Sequence, residues 1–366
     1  MAEPLKYLYN KKFFESLTCS LEKAHKDFDR KTFLKKIHSN EWDEYELKQR
    51  MDHVAKVLHM FLPADFKKAV PVILKTIAEL KRSGVRPGFE HIFFAHYIEL
   101  YGQDDLDTSL NAIERITQFI SCEFAIRPFI IKYPKRAMAQ LLAWSKHKNE
   151  HVRRLSSEGC RPRLPWAMAL PAFKKDPSLI LPILENLKHD PSLFVRKSVA
   201  NNLNDISRDH PALVIALAKK WKGSSNEADW IIKHGSRTLL KKADASSLGL
   251  FGFSNKVKPT VKNFKLDKSQ LRIGDTLSFG FLLTHGEKQA VKLRVEFGIY
   301  YMKANGKQNR KLFKVTENTY APKKEHVFKR NHSFADLTTR KHYAGKHKLA
   351  IVVNGQELAS TEFMLK

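Results

Sequence analysis

A chain of 366 residues is long for one core and predicts two domains, while 43% apolar and 11% aromatic residues exclude wholesale disorder. Lys and Arg number 65 against 38 Asp and Glu, and the resulting +27 exceeds any need of solubility, so a polyanion is the expected partner, nucleic acid before an anionic membrane surface. The absence of an eighteen-residue apolar stretch or an N-terminal signal h-region argues against a membrane span and export, and three widely spaced cysteines (Cys19, Cys122, Cys160) argue against disulfides and zinc; a reducing cytoplasm is expected.

From Leu5 to about Leu250 the apolar residues fall at helical spacing, over Lys31–Ile37, Tyr45–Phe61, Phe66–Lys81, Gly88–Tyr101 and Leu110–Ile120, with a turn at Gly84–Gly88 and Asp107 or Thr108 as the N-cap of the last helix. The middle of this half repeats itself. His151-Val152-Arg153-Arg154 recurs as Phe194-Val195-Arg196-Lys197 and as Trp230-Ile231-Ile232-Lys233-His234, at steps of 43 and 37 residues from Val152 to Val195 to Ile232. Each copy follows a shorter amphipathic helix, at Pro134–Lys146, Pro177–Leu187 and Pro211–Trp221, and Asp190-Pro191 makes a turn. Such periods predict helix pairs of the HEAT or armadillo kind, stacked as a solenoid. Basic residues recur with the period, so Arg153, Arg154, Arg196, Lys197, Lys233 and Arg237 are expected to line the hollow of the curve and meet phosphates. Taken singly, each also fits an ordinary solvated face.

Glu150 to Trp166 breaks the regularity. Val152, Leu155 and Ser156 share a helix face and Gly159 closes the helix. Pro162 and Pro165 then make Arg161–Trp166 a stiff corner. A carboxylate (Glu158), guanidinium groups (Arg154, Arg161, Arg163) and an indole (Trp166) are gathered there, and the three arginines are expected to clamp DNA phosphates. The same residues also fit a surface helix with an Arg154–Glu158 pair at i, i+4 and Trp166 in the core.

Lys241–Lys258, rich in Gly and Ser, separates two unlike patterns, with the boundary near Ser254; the expected domains are residues 1–250 and 257–366. Beyond it the period is two, predicting strands at Val261–Phe264, Thr276–Leu283, Ala290–Tyr301, Lys311–Val315, Val327–Phe334, His347–Val353 and Ala359–Leu365, with hairpin turns at Asn305-Gly306 and Asn354-Gly355. Seven short strands predict an immunoglobulin-like sandwich lacking any cysteine. From Val257 onward 22 basic residues face 9 acidic ones, nearly half of the whole excess. The sandwich is therefore expected to touch nucleic acid, with Lys323, Lys324, Lys329, Arg330, Arg340 and Lys341 as phosphate partners; a basic but idle sandwich is the other reading.

Acidic residues in a basic lining weaken polyanion binding unless something else is gained. Glu123 opens a helix, Glu158 ends one, and Asp205 ends the helix of the next repeat; Glu123 and Glu158 are 35 residues apart, one repeat. Each alone has a plain explanation: a carboxylate at a helix N-terminus, or a partner for Arg208. Together they would make an acidic pocket suited to a cationic group on DNA. The runs S-S-E-G-C-R-P-R-L-P-W, S-C-E-F-A-I-R-P-F-I, V-R-K-S-V-A-N-N-L-N-D and D-W-I-I-K-H-G-S-R-T-L closely resemble the AlkC branch of the HEAT-like-repeat alkylbase DNA glycosylases, densely over residues 85–242 and by pattern over the sandwich, as in the longer AlkC subtype. The resemblance implies removal of N3-methylated bases, chiefly 3-methyladenine and 3-methylcytosine, from double-stranded DNA, with Glu123, Glu158 and Asp205 as the active-site carboxylates and Trp166 beside the pocket. A monomer with no cofactor is expected, and scattered His and Cys without ligand spacing imply no metal. The fold class expected is thus an all-α HEAT-like solenoid followed by an all-β sandwich. A non-catalytic scaffold for damaged or branched DNA is the competing reading.

Overall fold

The computed structural model describes residues 3–38, 41–242, 245–254, 256–337 and 340–366. Contacts divide the chain into two compact units, Met1–Asp209 with Trp221–Gly235, and His210–Lys220 with Ser236–Lys366.

In the first unit the chain runs through α1 (Lys11–Ala24), α2 (Arg30–Ile37), α3 (Leu47–His59), α4 (Phe66–Arg82), α5 (Phe93–Tyr101), α6 (Leu106–Ile116), α7 (Ile126–Lys132), α8 (Pro134–Trp144), α9 (Glu150–Glu158), α10 (Pro171–Lys175), α11 (Leu181–Leu187) and α12 (Leu193–Ile206). After α13 (Pro211–Trp221) it adds α14 (Asn226–Gly235). Several starts are set by side-chain caps, in which an oxygen takes an orphan backbone N–H: Asn10, Asp29, Asp65, Asp105 and Asn149 each do so. Asp105, not Asp107 or Thr108, caps α6, accepting from the Thr108 N–H at 3.1 Å, so that helix begins earlier than expected. Gly88–Tyr101 is likewise not one helix but a 3-10 turn at Phe89–His91 followed by α5.

The middle helices pack on one another in sequence. α8 lies on α9, α11 on α12, α9 on α12, and α12 on α14. Two glycines permit the close approaches. A Cβ at Gly159 would meet Ile126 Cγ2 at 2.6 Å, and one at Gly235 would meet Leu203 Cβ at 2.9 Å. Gly159 is right-handed at φ −63°, so it is needed for space rather than for a left-handed cap.

The second unit carries α13, α15 (Arg237–Lys242), α16 (Ala245–Leu250) and the sandwich. The Gly- and Ser-rich stretch is thus partly helical; its Ala243, Asp244 and Asn255 lie outside the described residues. The strands are β1 (Pro259–Leu266), β2 (Gln270–Leu271), β3 (Thr276–His285), β4 (Val291–Met302), β5 (Gln308–Tyr320), β6 (His326–Ser333), β7 (Gly345–Val353) and β8 (Gln356–Leu365). They form two sheets, β1-β3-β6 and β2-β8-β7-β4-β5, antiparallel except where β2 pairs with β8. Alternate residues of β3 (Leu277, Phe279, Phe281, Leu283) share one buried core with Val295, Phe297 and Ile299 of β4 and Leu349, Ile351 and Val353 of β7. The two Asn-Gly pairs do different work. Asn354 and Gly355 both have positive φ (45° and 82°) and join Val353 to Gln356 as a two-residue hairpin turn. At Asn305-Gly306 only the glycine is left-handed, in a turn closed by the Gly306 N–H to Lys303 O and Lys303 N–H to Lys307 O bonds.

His332 sits inside this sandwich with its Nε2 2.6 Å from the Tyr301 hydroxyl. Burial, with Arg340 and His342 nearby, pushes its pKa down to about 4. A histidine held neutral binds its proton less readily folded than unfolded. It therefore contributes full stability above pH 6.5, and that contribution drains away between pH 6.5 and 4, to a total loss of roughly 3 kcal/mol. Urea unfolding against pH is expected to show this slope in the wild type and a shallower one in His332→Gln.

Candidate active site

Glu158 is the last residue of α9, and the contact of Gly159 with α7 brings that helix end against the turn before α7 where Glu123 lies. Glu123 therefore precedes a helix rather than opening it, since α7 starts at Ile126. Asp205 stands one residue from the end of α12, the helix packed on α9. The structure thus brings the three carboxylates together, and two arginines string them in a line. Arg154 Nη1 donates to Glu123 Oε2 at 2.6 Å, while its Nη2 is 3.8 Å from Glu158 Oε1. Arg161 Nη1 donates to Glu158 Oε1 at 2.6 Å and its Nε to Asp205 Oδ2 at 2.8 Å.

Each acid commits one oxygen to this string. Among the described residues, Glu123 Oε1, Glu158 Oε2 and Asp205 Oδ1 make no hydrogen bond, and none of the three is sealed from solvent. Three carboxylates and two guanidinium groups leave one net negative charge, in surroundings where Glu158 is 5% and Asp205 3% exposed. Burial, only partly offset by Arg161, raises the Asp205 pKa above the usual aspartate value. Burial pulls Arg161 the other way, but Glu158 and Asp205 outweigh it and hold the guanidinium above its ordinary value. One arginine shared by two acids is doubly satisfied, whereas each acid is half satisfied.

The corner after α9 lacks regular structure and is held by Arg127, which is fully buried. Its Nε donates to Met168 O at 2.7 Å, and its Nη1 to Gly159 O and Arg161 O, each at 2.9 Å. Burial lowers its pKa to about 10, so it stays protonated at neutral pH. Trp166 is not core: it is 58% exposed, with φ 65°, a left-handed conformation that a bulky side chain adopts only under constraint. Lys48 Nζ donates to its carbonyl, and its ring lies 6.1 Å from that of Phe89. Trp166 borders a cavity of about 300 Å³ with Lys48, Asp52, His96, Glu99 and Phe124. There His96 Nε2 meets Asp52 and Nδ1 meets Glu99, each at 3.0 Å. Burial disfavours the imidazolium, but the two acids outweigh it and raise the His96 pKa. This cluster was missed in sequence, because Asp52 and His96 are 44 residues apart on different helices and no motif joins them.

The basic residues divide. Arg161 is buried, and its links to Glu158 and Asp205 correct its expected role as a phosphate clamp: it serves the carboxylates. Arg153 is bidentate on Asp190, at 2.6 and 3.2 Å, Arg163 is paired with Asp209, and Arg196 donates to the carbonyls of Asp190 and Pro191. These three arginines are anchored within the fold, not presented as bare charges. Arg154, besides binding Glu123, lies 4.6 Å over the ring of Phe194, which is 40% exposed. Lys197, Lys233 and Arg237 are exposed, as are Lys323, Lys324 and Lys329 of the sandwich, while Arg330 donates to Lys329 O. Among the described residues no group of three or more His, Cys, Asp or Glu is arranged to hold a metal ion, and no helix is long and apolar enough to cross a membrane.

Residues 96–242 match the family of DNA alkylation repair enzymes, and residues 260–366 match the C-terminal Ig-like domain of the uncharacterised protein YhaZ. The uncharacterized protein YhaZ of Bacillus subtilis (strain 168) is 42% identical over 361 residues, covering 99% of each chain. The structure of the Pseudomonas fluorescens alkylpurine DNA glycosylase AlkC, bound to DNA containing an abasic site analog, matches over 100% of both chains with a TM-score of 0.94 at 35% identity. The kinship expected from the S-S-E-G-C-R-P-R-L-P-W run is thereby shown, and the helical region followed by an Ig-like sandwich is the fold of that relative. The chain belongs to the DNA alkylation repair enzyme family, in the branch that carries a YhaZ-type Ig-like domain at its C-terminal end.

Proposed function

We propose that this protein is a monofunctional DNA glycosylase of base excision repair, acting in the cytoplasm on double-stranded DNA and hydrolysing the N-glycosidic bond of 3-methyladenine and 3-methylcytosine. The observation that carries the reading is the string Glu123–Arg154–Glu158–Arg161–Asp205, with one net negative charge and an uncommitted oxygen on each acid. The alkylpurine glycosylase activity of the AlkC relative supports it. An N3-methylated base already carries a positive charge, so it leaves without a general acid. What remains is to stabilise the oxocarbenium-like sugar and direct a water to its anomeric carbon, which is work for ionised carboxylates.

In this reading Glu158 Oε2 orients the water, because it is the free oxygen nearest the centre of the string. Glu123 and Asp205 supply negative potential, and Arg154 and Arg161 hold the acids in register. The exposed face of Trp166 meets the cationic base or the sugar, where cation–π attraction contributes on the order of 1–2 kcal/mol. Phosphates are met by Lys197, Lys233 and Arg237 of the helical region and by Lys323, Lys324, Lys329 and Arg330 of the sandwich. Arg153, Arg163 and Arg196 stiffen the backbone that presents the site.

Incubation with methylated duplex DNA, followed by chromatography of the released bases, tests the proposal. Release of 3-methyladenine or 3-methylcytosine above the spontaneous rate, leaving an unnicked abasic strand, is expected. Salt-sensitive binding with no base released would instead establish a non-catalytic scaffold. The rate also has a predicted pH dependence. Asp205 takes up its proton at a higher pH than an ordinary aspartate, and that neutralises the string. Release should therefore fall as pH drops through the raised Asp205 pKa, and Asp205→Asn should remove that inflection while lowering the plateau.

A further inference from the structure

We propose that Lys48 is a positioning residue of the candidate active site: reaching across from α3, it holds the Trp166 carbonyl and so keeps the indole over the cavity that it shares with Phe124, the residue after Glu123. This rests on the glycosylase reading of that site. Packing does not fix Trp166. It borders two cavities, the one of about 300 Å³ described above and another of about 410 Å³ shared with Leu5, Glu46 and Leu47, so open space adjoins the indole twice over. Among the described residues the one ring it meets is that of Phe89, at 6.1 Å and itself half-exposed. Nor does its backbone rest in a favoured well, since at φ 65° a bulky residue stays left-handed only where its surroundings hold it there.

Four other carbonyls of the corner go to arginines. Arg127 takes those of Gly159, Arg161 and Met168, and Arg161 Nη2 takes that of Arg163 at 3.3 Å. Among the described residues Lys48 alone hydrogen-bonds Trp166, from 118 residues away. The same ammonium lies 5.8 Å over the Phe124 ring, so one charge spans the cavity from wall to wall. Its base is firm. Glu46 and Gln49 close a capping box at the start of α3, and buried Arg50 donates to Tyr45 O and Lys6 O, each at 3.1 Å. The partner that helix spacing offers Lys48 is Asp52, four residues on, but Asp52 already pairs with Lys56 at 2.7 Å and His96 at 3.0 Å. Lys48 is thereby left to Trp166. Because α3 precedes the segment 96–242 that matches the DNA alkylation repair enzymes, helices outside that match supply part of the site.

The test compares the full chain with its Lys48→Met and Lys48→Arg variants; the side chain is exposed, and methionine keeps most of the stem while losing the donor. Base release from methylated duplex is followed with the protein in excess, and duplex affinity by anisotropy over a series of KCl concentrations. Trp166 is followed by acrylamide quenching of tryptophan emission, isolated by subtracting the signal of the same chain carrying Trp166→Phe. Lys48→Met should slow the release step about three- to tenfold and alter Trp166 quenching, with affinity and salt slope unchanged, and Lys48→Arg should restore both. A wild-type release rate in Lys48→Met would overturn the proposal and leave the glycosylase reading standing. A salt slope lowered by about 0.9 with Trp166 quenching unchanged would overturn it too, since Lys48 would then be a phosphate contact. If the wild type releases no base while Lys48→Met still alters quenching, the glycosylase reading falls and the hold on Trp166 stands. No release and no change in quenching would remove both.

Discussion

Glu158→Gln is expected to cut base release by about 10³-fold or more while duplex affinity holds or rises. The glutamine keeps the length of the side chain and still offers Arg161 an oxygen, so the geometry around Arg161 Nη1 is retained. What disappears is the charge. The string becomes neutral, its central oxygen loses its basicity toward water, and the developing oxocarbenium faces no excess of negative potential. Binding is governed by phosphates, and removing one acid from among basic residues should leave it unchanged or strengthen it. Undiminished release would take Glu158 out of the mechanism. A parallel loss of release and affinity would indicate a role in positioning DNA rather than in chemistry.

Arg161→Met is expected to have the largest effect on folding. The substitution fills similar space, but it leaves Glu158 and Asp205 buried without their shared donor. Removing one partner from a buried ion pair costs about 3–5 kcal/mol, because the charge left behind is unsolvated. Urea unfolding should show this loss at neutral pH and a smaller one in acid, where Asp205 can protonate. Adding Asp205→Asn should recover part of it. Equal destabilisation in the single and double variants would mean that Arg161 contributes packing alone.

Glu158 and Asp205 were legible because they sit at the ends of successive repeated helices, and Glu123, in the turn before α7, because it lies 35 residues before Glu158, one repeat's length. Their partners were not. Arg161 and Asp205 are 44 residues apart and Arg154 and Glu123 are 31 apart, so the pairing of acid with guanidinium depends on how the helices stack, not on local spacing. Reading Arg161 as a phosphate clamp was natural in a basic stretch, and it failed because burial had already assigned that charge. Trp166 carries the opposite lesson: an indole between prolines suggested core in one reading, yet the left-handed backbone turns it outward. In the sandwich the alternation located the long strands. It could not show β2, two residues long, or the full reach of β5, whose Thr316–Thr319 stretch is polar throughout.

Arg127 ties the carbonyls of Gly159, Arg161 and Met168 to one buried guanidinium. The segment between α9 and α10, with no helix or strand, would ordinarily exchange its amide hydrogens within moments of exposure to heavy water. Here opening it means abandoning three charge-assisted bonds at once, so the amides that donate within it, those of Arg161, Ala167 and Leu170, should exchange far more slowly than those of an untethered loop. The most irregular part of the helical unit is thus tied down through its carbonyls.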